Sequence, residues 1–344
     1  MPKVTVIVPN YNHGPFLNQR IDSVLEQSYA DFEVILMDDA SSDGSLEVLQ
    51  SYASDSRVRL IMPNTVNTGI PFKQWNKGVA EARGEYIWIA ESDDFAKPAL
   101  LATLVDVLDR HPNVGLAYCQ SLAVDGSGAV TGTLQGWTDD LDATRWSADH
   151  VGNGPDECRR FVVQKCTIPN ASAVVFRKDA YLRVGSADED FRLSGDWMMW
   201  AKLLLDSDVA FVAEPLNCFR MHQNTVRSNS ARTTVALQEA IRIYRYISGR
   251  VDVPDQVRDA VLERLLNRWV MSWSAVRPRL GTELEMYRAF RQLDRDINKR
   301  LVKRLTARLW KMAGLASQRP AGLDSPARSA DRSESQARDH SIQR

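Results

Sequence analysis

Short apolar runs alternate with stretches of helical spacing through roughly the first 115 residues. Val4–Val8 predicts a strand that stops at Pro9-Asn10-Tyr11-Asn12, a turn-rich loop. Leu17, Ile21, Val24 and Leu25 then mark a helix over Phe16 to Gln27. A second strand at 32–37 runs into Asp38-Asp39, and Ser41-Ser42-Asp43-Gly44-Ser45 caps a helix reaching Tyr52. A third strand at 58–62 precedes a helix over 72–83, which Gly84 is expected to close. The fourth strand, 86–90, ends in Glu91-Ser92-Asp93-Asp94. This alternation predicts a mostly parallel sheet wrapped by helices. Ligands of such sheets bind at the carboxyl ends of the strands. Three loops far apart in sequence therefore bring polar groups to one edge.

Further on, a helix over 100–108 and a strand over 114–124 precede a Gly-, Asp-, Thr- and Trp-rich stretch, 125–155, that reads as a long loop or lid. A strand at 173–176, a short helix at 178–184, a helix at 196–205 and a last strand at 209–212 complete a domain of residues 1–230. Residues 231–317 read as a helical extension with breaks near Pro254 and Pro278, and 318–344 as a disordered tail. No internal repeat is visible.

Composition excludes several function classes. Lys+Arg is 43 against 44 Asp+Glu, which gives no global attraction to nucleic acid. Cys119, Cys158, Cys166 and Cys218 form no CxxC pair, so zinc is not expected, and scattered cysteines read as reduced thiols. No stretch approaches the roughly 18 apolar residues of a spanning helix, and Val4–Val8 is too short for a signal segment. The expected location is the cytoplasm. In the extension, Leu301, Val302, Leu305, Leu309 and Met312 share a face, with Arg300, Lys303, Arg304, Arg308 and Lys311 around it. That helix, residues 297–312, reads either as packed on the preceding domain or as a peripheral contact with the inner face of the membrane.

Three carboxylates in four residues, Glu91, Asp93 and Asp94, read either as a solvated cap or as a site for Mg²⁺ or Mn²⁺, which one or two carboxylates and substrate phosphates typically hold. Asp38-Asp39 reads as a cap or as a partner for a nucleobase or ribose. The ordered set Thr5 to Asn12, Ser23-Val24-Leu25-Glu26-Gln27-Ser28, Phe32-Glu33-Val34, Asp38 to Gly44, Asn67-Thr68-Gly69 and Ala82 through Asp94 resembles a family 2 glycosyltransferase of the GT-A fold, over about residues 3–228. The resemblance implies an inverting transfer of one sugar from a nucleoside-diphosphate sugar, UDP-linked in most such enzymes, with a divalent metal. It places Pro9 and Tyr11 at the base pocket, Asp39 on the base, and Asn67 and Gly69 near base and ribose. Glu91-Ser92-Asp93 takes the place of the family's D-x-D, with Asp93 as main metal ligand, Glu91 as ribose or supporting contact, and Asp94 as alternative ligand. Trp75 stands where an Arg is frequent, and Lys73 is the candidate for the missing charge.

An inverting transferase needs a general base for the acceptor hydroxyl. Asp196 matches the Asp of the family's Glu-Asp-x-x-x-Trp, with Gly195 in place of Glu and Trp200 in place. Asn170, Ser172 and Trp197 match the acceptor side. Phe219-Arg220-Met221-His222 resembles the family's closing segment, so Arg220 or His222 is expected at the diphosphate, with His222 also a metal ligand. The acceptor is expected to be a glycan or lipid-linked, and the absence of Gln-x-x-Arg-Trp favours single-sugar addition. The alternatives are a nucleotidyltransferase on a similar sheet and a non-catalytic nucleotide-sugar-binding module.

Overall fold

The computed structural model describes residues 1–221, 234–273 and 280–312. Strand β1 (Val4–Asn10) lies between β2 (Phe32–Asp38) and β4 (Tyr86–Ile89), parallel to both, and β3 (Val58–Pro63) extends the parallel half beyond β2. Alternate residues feed two cores. Val4, Val6, Val8, Val34 and Leu36 pack on one face, and Ile7, Ile35, Met37, Ile87 and Ile89 on the other. A strand buried on both faces is apolar at most positions, so these strands read as nearly continuous apolar runs in the sequence, with Thr5 and Glu33 as buried polar exceptions that bond each other.

The other half of the sheet is mixed. Strand β9 (Val174–Arg177) runs antiparallel to both β4 and β6 (Val114–Val124), while β10 (Asp208–Arg220) runs parallel to β6. The short β5 (Phe95–Ala96) closes the order β3-β2-β1-β4-β9-β6-β10-β5, and β7 (Val130–Thr133) and β8 (His150–Gly152) add to β6 and β10. Strand β10 runs eight residues beyond the apolar stretch 209–212 that marks it in the sequence. The register shifts around Pro215, and this irregularity breaks the hydrophobic pattern without ending the pairing. The 125–155 segment is a lid only in part. Trp146 is buried with its Nε1 donating to the Tyr118 hydroxyl at 2.6 Å, and Arg145 pairs with Glu157 at 2.6 Å.

Helices α1 (Gly14–Leu25), α2 (Ser45–Ser51), α3 (Pro71–Glu81) and α4 (Leu100–Arg110) connect the first strands, and α5 (Gly154–Glu157), α6 (Lys178–Arg183) and α7 (Gly195–Asp206) the later ones. Gly84 does not close α3, which ends at Glu81. A Cβ at Gly84 would lie 2.4 Å from the Thr5 amide nitrogen, so close approach to β1 requires the glycine. Among the described residues four helices follow: α8 (Thr234–Ser248), α9 (Asp255–Ser272), α10 (Leu280–Leu293) and α11 (Ile297–Met312). Their Leu237, Ile241, Leu266 and Phe290 share one apolar cluster with Met198 and Trp200 of α7.

The apolar side of α11 faces the protein. Ile297 is buried, and Leu301 and Leu305 pack against the same cluster. Arg300 pairs with Asp259, Glu263 and Asp294, and Arg304 with Glu263. Of the stripe read either as packed or as a membrane contact, Leu301 and Leu305 are used in packing and Val302 is 62% exposed; the side chains of Leu309 and Met312, and the expected tail from 318, lie outside the described residues. Among the described residues no helix is long and apolar enough to cross a membrane. All four cysteines are buried free thiols.

Candidate active site at the carboxyl edge of the sheet

Parallel register sets the ends of β1 and β2 level, with Asn10 opposite Asp38. Asn10 Nδ2 donates to Asp38 Oδ1 at 2.9 Å and to Ser41 Oγ at 3.1 Å, and the Ser41 amide donates to Asp38 Oδ2 at 2.9 Å. These bonds hold a tight turn in which Ala40 takes φ 59, a conformation a non-glycine residue keeps only when its surroundings impose it. The turn aims Asp39 inward.

Asp39 is 5% exposed and its carboxylate is well supplied with donors. It accepts from Asn64 Nδ2 at 2.7 Å, the Thr68 amide at 3.0 Å, Thr68 Oγ1 at 2.8 Å and Gln74 Nε2 at 2.9 Å. Asn67 Nδ2 donates to the Asp39 carbonyl at 3.1 Å, and Gly69 takes φ +66 in the same loop. Asp39 therefore ties the loop 64–69 to the end of β2. A carboxylate has about four acceptor positions, so a nucleobase donor at Asp39 shares or replaces one of these partners. Pro9 is buried in β1, and Tyr11 stands 48% exposed just beyond it.

The acidic loop after β4 is held from several sides. Trp75 Nε1 of α3 donates to Glu91 Oε1 at 2.9 Å, and the Glu91 amide donates to Ser172 Oγ at 3.2 Å. Two of the positions that depart from the family pattern, Trp75 and Glu91, are bonded to each other. Asp94 is buried and accepts from the Arg220 amide at 2.9 Å. His13 Nδ1 lies 2.8 Å from Ser92 Oγ. Burial and the neighbouring Asp93 push the Glu91 carboxyl from its ordinary 4.5 up to about 8, against the Trp75 hydrogen bond. Burial and Asp93 likewise raise Asp94, with Arg20 opposing.

Arg20 is the residue that reading the sequence missed. It lies fully buried on α1, its Nε donating to the Glu91 carbonyl at 2.9 Å and its guanidinium 5.5 Å from the Trp88 ring. Within the described residues its Nη1 and Nη2 have no hydrogen-bond partner. Burial lowers its pKa to about 10, opposed by Asp94, Asp93 and Glu91. The signal was present: position 20 falls on the same helical face as Leu17, Ile21 and Val24, and an arginine there has to be buried.

Several expected contacts turn inward instead. Arg220 is 1% exposed, with Nε donating to the Asp93 carbonyl at 2.7 Å, Nη1 to the carbonyls of Asp125 and Gly126 at 3.0 Å, and Nη2 to Gln19 Oε1. It braces the acidic loop, which leaves little of it for a diphosphate. Asn170 donates to Ser121 Oγ at 3.1 Å and accepts from the Ala173 amide at 3.0 Å and Asn217 Nδ2 at 3.1 Å. Ser172 is fully buried beneath Glu91. Both are occupied within the fold rather than facing an acceptor. Trp197 is half-buried, its Nε1 donating to the Val162 carbonyl at 2.9 Å. Lys73, on the first turn of α3, is part-exposed, and its ammonium makes no hydrogen bond or ion pair among the described residues. His222 lies outside the described residues.

Asp196 sits part-exposed in the first turn of α7, and its Oδ1 accepts from the Trp197 amide at 2.7 Å. A chain of contacts connects it to the acidic loop. Gly195 abuts the Phe72 ring, Phe72 meets Trp75 edge-on at 5.2 Å, and Trp75 bonds Glu91. A Cβ at 195 would lie 2.3 Å from Phe72, so the glycine in place of the family's Glu has a steric cause. Gly195→Ala is expected to cost about 1–3 kcal/mol through overpacking, read as a lower urea midpoint at unchanged slope.

No metal is part of the structure described here, and whether one fits is a question of donor chemistry. Among the described residues no three His, Cys, Asp or Glu side chains are grouped to hold a cation. A hard cation held by one or two carboxylates together with substrate phosphates does not need such a group. Burial and repulsion from Asp93 raise the Glu91 and Asp94 carboxyls, with Arg20 opposing, and carboxylates such as Asp93 and Asp94 are the hard oxygen donors such an ion takes.

The mixed sheet with its polar carboxyl edge is the GT-A architecture. The S. aureus protein TarS, solved in complex with UDP-GlcNAc, superposes with a TM-score of 0.63 over 85% of this chain and 81% of that one, at 17% identity. The mannosyltransferase PcManGT from Pyrobaculum calidifontis, solved with GDP-Man and Mn²⁺, gives 0.56 over 92% and 88%, also at 17% identity. Residues 5–145 match the model of glycosyl transferase family 2. Glycosyltransferase GlyG of Streptococcus pneumoniae is 38% identical over 102 residues, 29% of this chain and 33% of that protein. The chain thus spans about a third of the length of the first curated relatives it matches.

Proposed function

We propose that the chain is an inverting, metal-dependent glycosyltransferase. It moves one sugar from a nucleoside-diphosphate sugar, UDP-linked, to a hydroxyl of a glycan, polysaccharide or lipid-linked acceptor. The observation that carries the reading is the convergence of the Asp39 turn and the Glu91–Asp94 loop on one sheet edge, with α7 and Asp196 coupled to that edge through Phe72 and Trp75. TarS bound to UDP-GlcNAc supports the nucleotide, and PcManGT with Mn²⁺ supports the metal.

In this reading Tyr11, Asp39, Asn67 and Gly69 bind base and ribose, and Lys73 lies toward the diphosphate. Asp93, with Asp94 as alternative, holds the divalent ion, which neutralises charge on the leaving diphosphate. Glu91 is held by Trp75 and Ser172, and Arg20 and Arg220 brace the loop from behind. Asp196 takes the proton of the acceptor hydroxyl as its oxygen attacks the anomeric carbon and the nucleoside diphosphate departs. Adding single sugars in this way would contribute to building a surface polysaccharide or glycan chain.

The test is thermal stability with UDP, GDP, CDP and dTDP, each with and without Mn²⁺. A ligand that binds only the native state adds about 2.7 kcal/mol at ~100 times its Kd. A shift with UDP that requires Mn²⁺ is the expected result, and no shift with any nucleotide would remove the basis of the proposal.

A further inference from the structure

The segment just before Asp196 is gripped by the first helix of the extension, outside the stretch that matches the family model. Glu239 of α8 is 3% exposed, and its carboxylate accepts three consecutive backbone amides. Oε1 takes the Arg192 amide at 2.7 Å, and Oε2 takes the Leu193 amide at 3.1 Å and the Ser194 amide at 2.8 Å. These amides run directly into α7, whose first turn holds Asp196. Three residues further along α8, Arg242 lies 4.2 Å from the ring centroid of fully buried Phe191. Residues at i and i+3 share a helix face, so one face of α8 holds 191–194 both by charge-assisted hydrogen bonds and by a cation over an aromatic ring.

We propose that Glu239 is a positioning residue for the Asp196 base. This rests on the reading of Asp196 given above. A carboxylate is acceptor-only, so it can satisfy three converging N–H groups at once. Buried amides without partners are costly, so with Glu239 in place the segment has one favoured path into α7. Fixing that path fixes where Asp196 leaves the helix start. Misplacing a catalytic group by about 1 Å is enough to cost roughly a hundredfold in rate. The extension thereby becomes part of the active site's support, although none of its described residues lies in the acidic loop or the Asp39 turn.

The experiment compares the full chain with Glu239→Gln, Glu239→Asp and Asp196→Asn. Glu239→Gln keeps size but turns an amide NH₂ toward at least one N–H donor. Glu239→Asp keeps the charge and is one methylene short. Amide hydrogen exchange is measured over 190–200 and over the β1–β2 core, and hydrolysis is measured on a panel of UDP- and GDP-sugars. Glu239→Gln is expected to speed exchange at 192–198 by about tenfold or more with the core unchanged. Its kcat is expected to fall about tenfold to a hundredfold at unchanged donor KM, with Glu239→Asp in between.

Native exchange at 192–198 in Glu239→Gln overturns the proposal, and so does faster exchange with wild-type kcat. A rise spread equally over the core also overturns it, because Glu239 would then be stabilising the whole fold. Asp196→Asn is expected to lose turnover with native exchange. If Asp196→Asn keeps turnover while Glu239→Gln frees 192–198, the base assignment fails and the grip of Glu239 on the segment stands.

Discussion

Asp196→Asn is expected to lower sugar transfer by about 100- to 10,000-fold, the range that a positioned general base contributes. Nucleotide affinity and thermal stability should stay close to wild type. The amide keeps an oxygen that can accept from the Trp197 backbone N–H, so the first turn of α7 is retained. What is lost is the ability to take a proton from the acceptor hydroxyl. Asp196 is also part-exposed, as a group that must meet an incoming acceptor has to be. The measurement is turnover at saturating donor alongside a binding isotherm for the nucleotide. Transfer within threefold of wild type would reduce Asp196 to a helix-start residue and would put the base elsewhere.

The second large effect concerns Asp93. Asp93→Asn is expected to abolish the Mn²⁺-dependent part of the nucleotide shift, about 2.7 kcal/mol at ~100 times Kd. The same substitution should stabilise the metal-free protein, because Asp93 is the main charge repelling Glu91 and Asp94. Opposite signs with and without the cation are what separate a metal site from a solvated cap. The pH dependence carries the same sign. Glu91 ionises with a pKa of about 8 in the folded chain against an ordinary 4.5, so its protonated form is favoured by folding. That contribution is fully present below about pH 4.5 and is lost as pH rises through about 8. Metal-free stability should therefore fall across this window, and saturating Mn²⁺ should flatten the fall. A cation effect that is the same in wild type and Asp93→Asn would place the ion elsewhere.

The two substitutions bear on opposite sides of one assembly. Asp93 belongs to a loop fixed by β4, α3, β10 and the buried Arg20, and Asp196 to a helix fixed by α3 and α8. Helix α3 serves both, through Trp75 to Glu91 and through Phe72 to Gly195. A change in α3 that displaces Phe72 and Trp75 should thus disturb the acidic loop and the start of α7 together.

Strand ends and helix starts follow from local chemistry, and these were legible. The nearly continuous apolar runs of β1, β2 and β4, and the acids that end them, fixed which loops form the working edge, because a buried strand can stop only where polar groups meet solvent or a ligand. The ordered motifs pointed to the family, and the resemblance singled out Asp196, which lies in the first turn of α7. The reversed β9 and the extended β10 were not legible, since pairing direction and a bulge at Pro215 depend on partners distant in sequence. Nor could the sequence show which polar side chains point inward. Asn170, Ser172 and Arg220 match binding positions by spacing, yet three-dimensional packing consumes their donors and acceptors within the fold. Arg20 and Glu239 lie 71 and 45 residues in sequence from the backbone groups they hold at Glu91 and Ser194. Sequence alone determined the edge and its charge, because those are properties of single segments. Only the tertiary structure decided which of those charges are braced, and that a helix of the extension holds the backbone just before α7, because each is settled by hydrogen bonds between segments far apart along the chain.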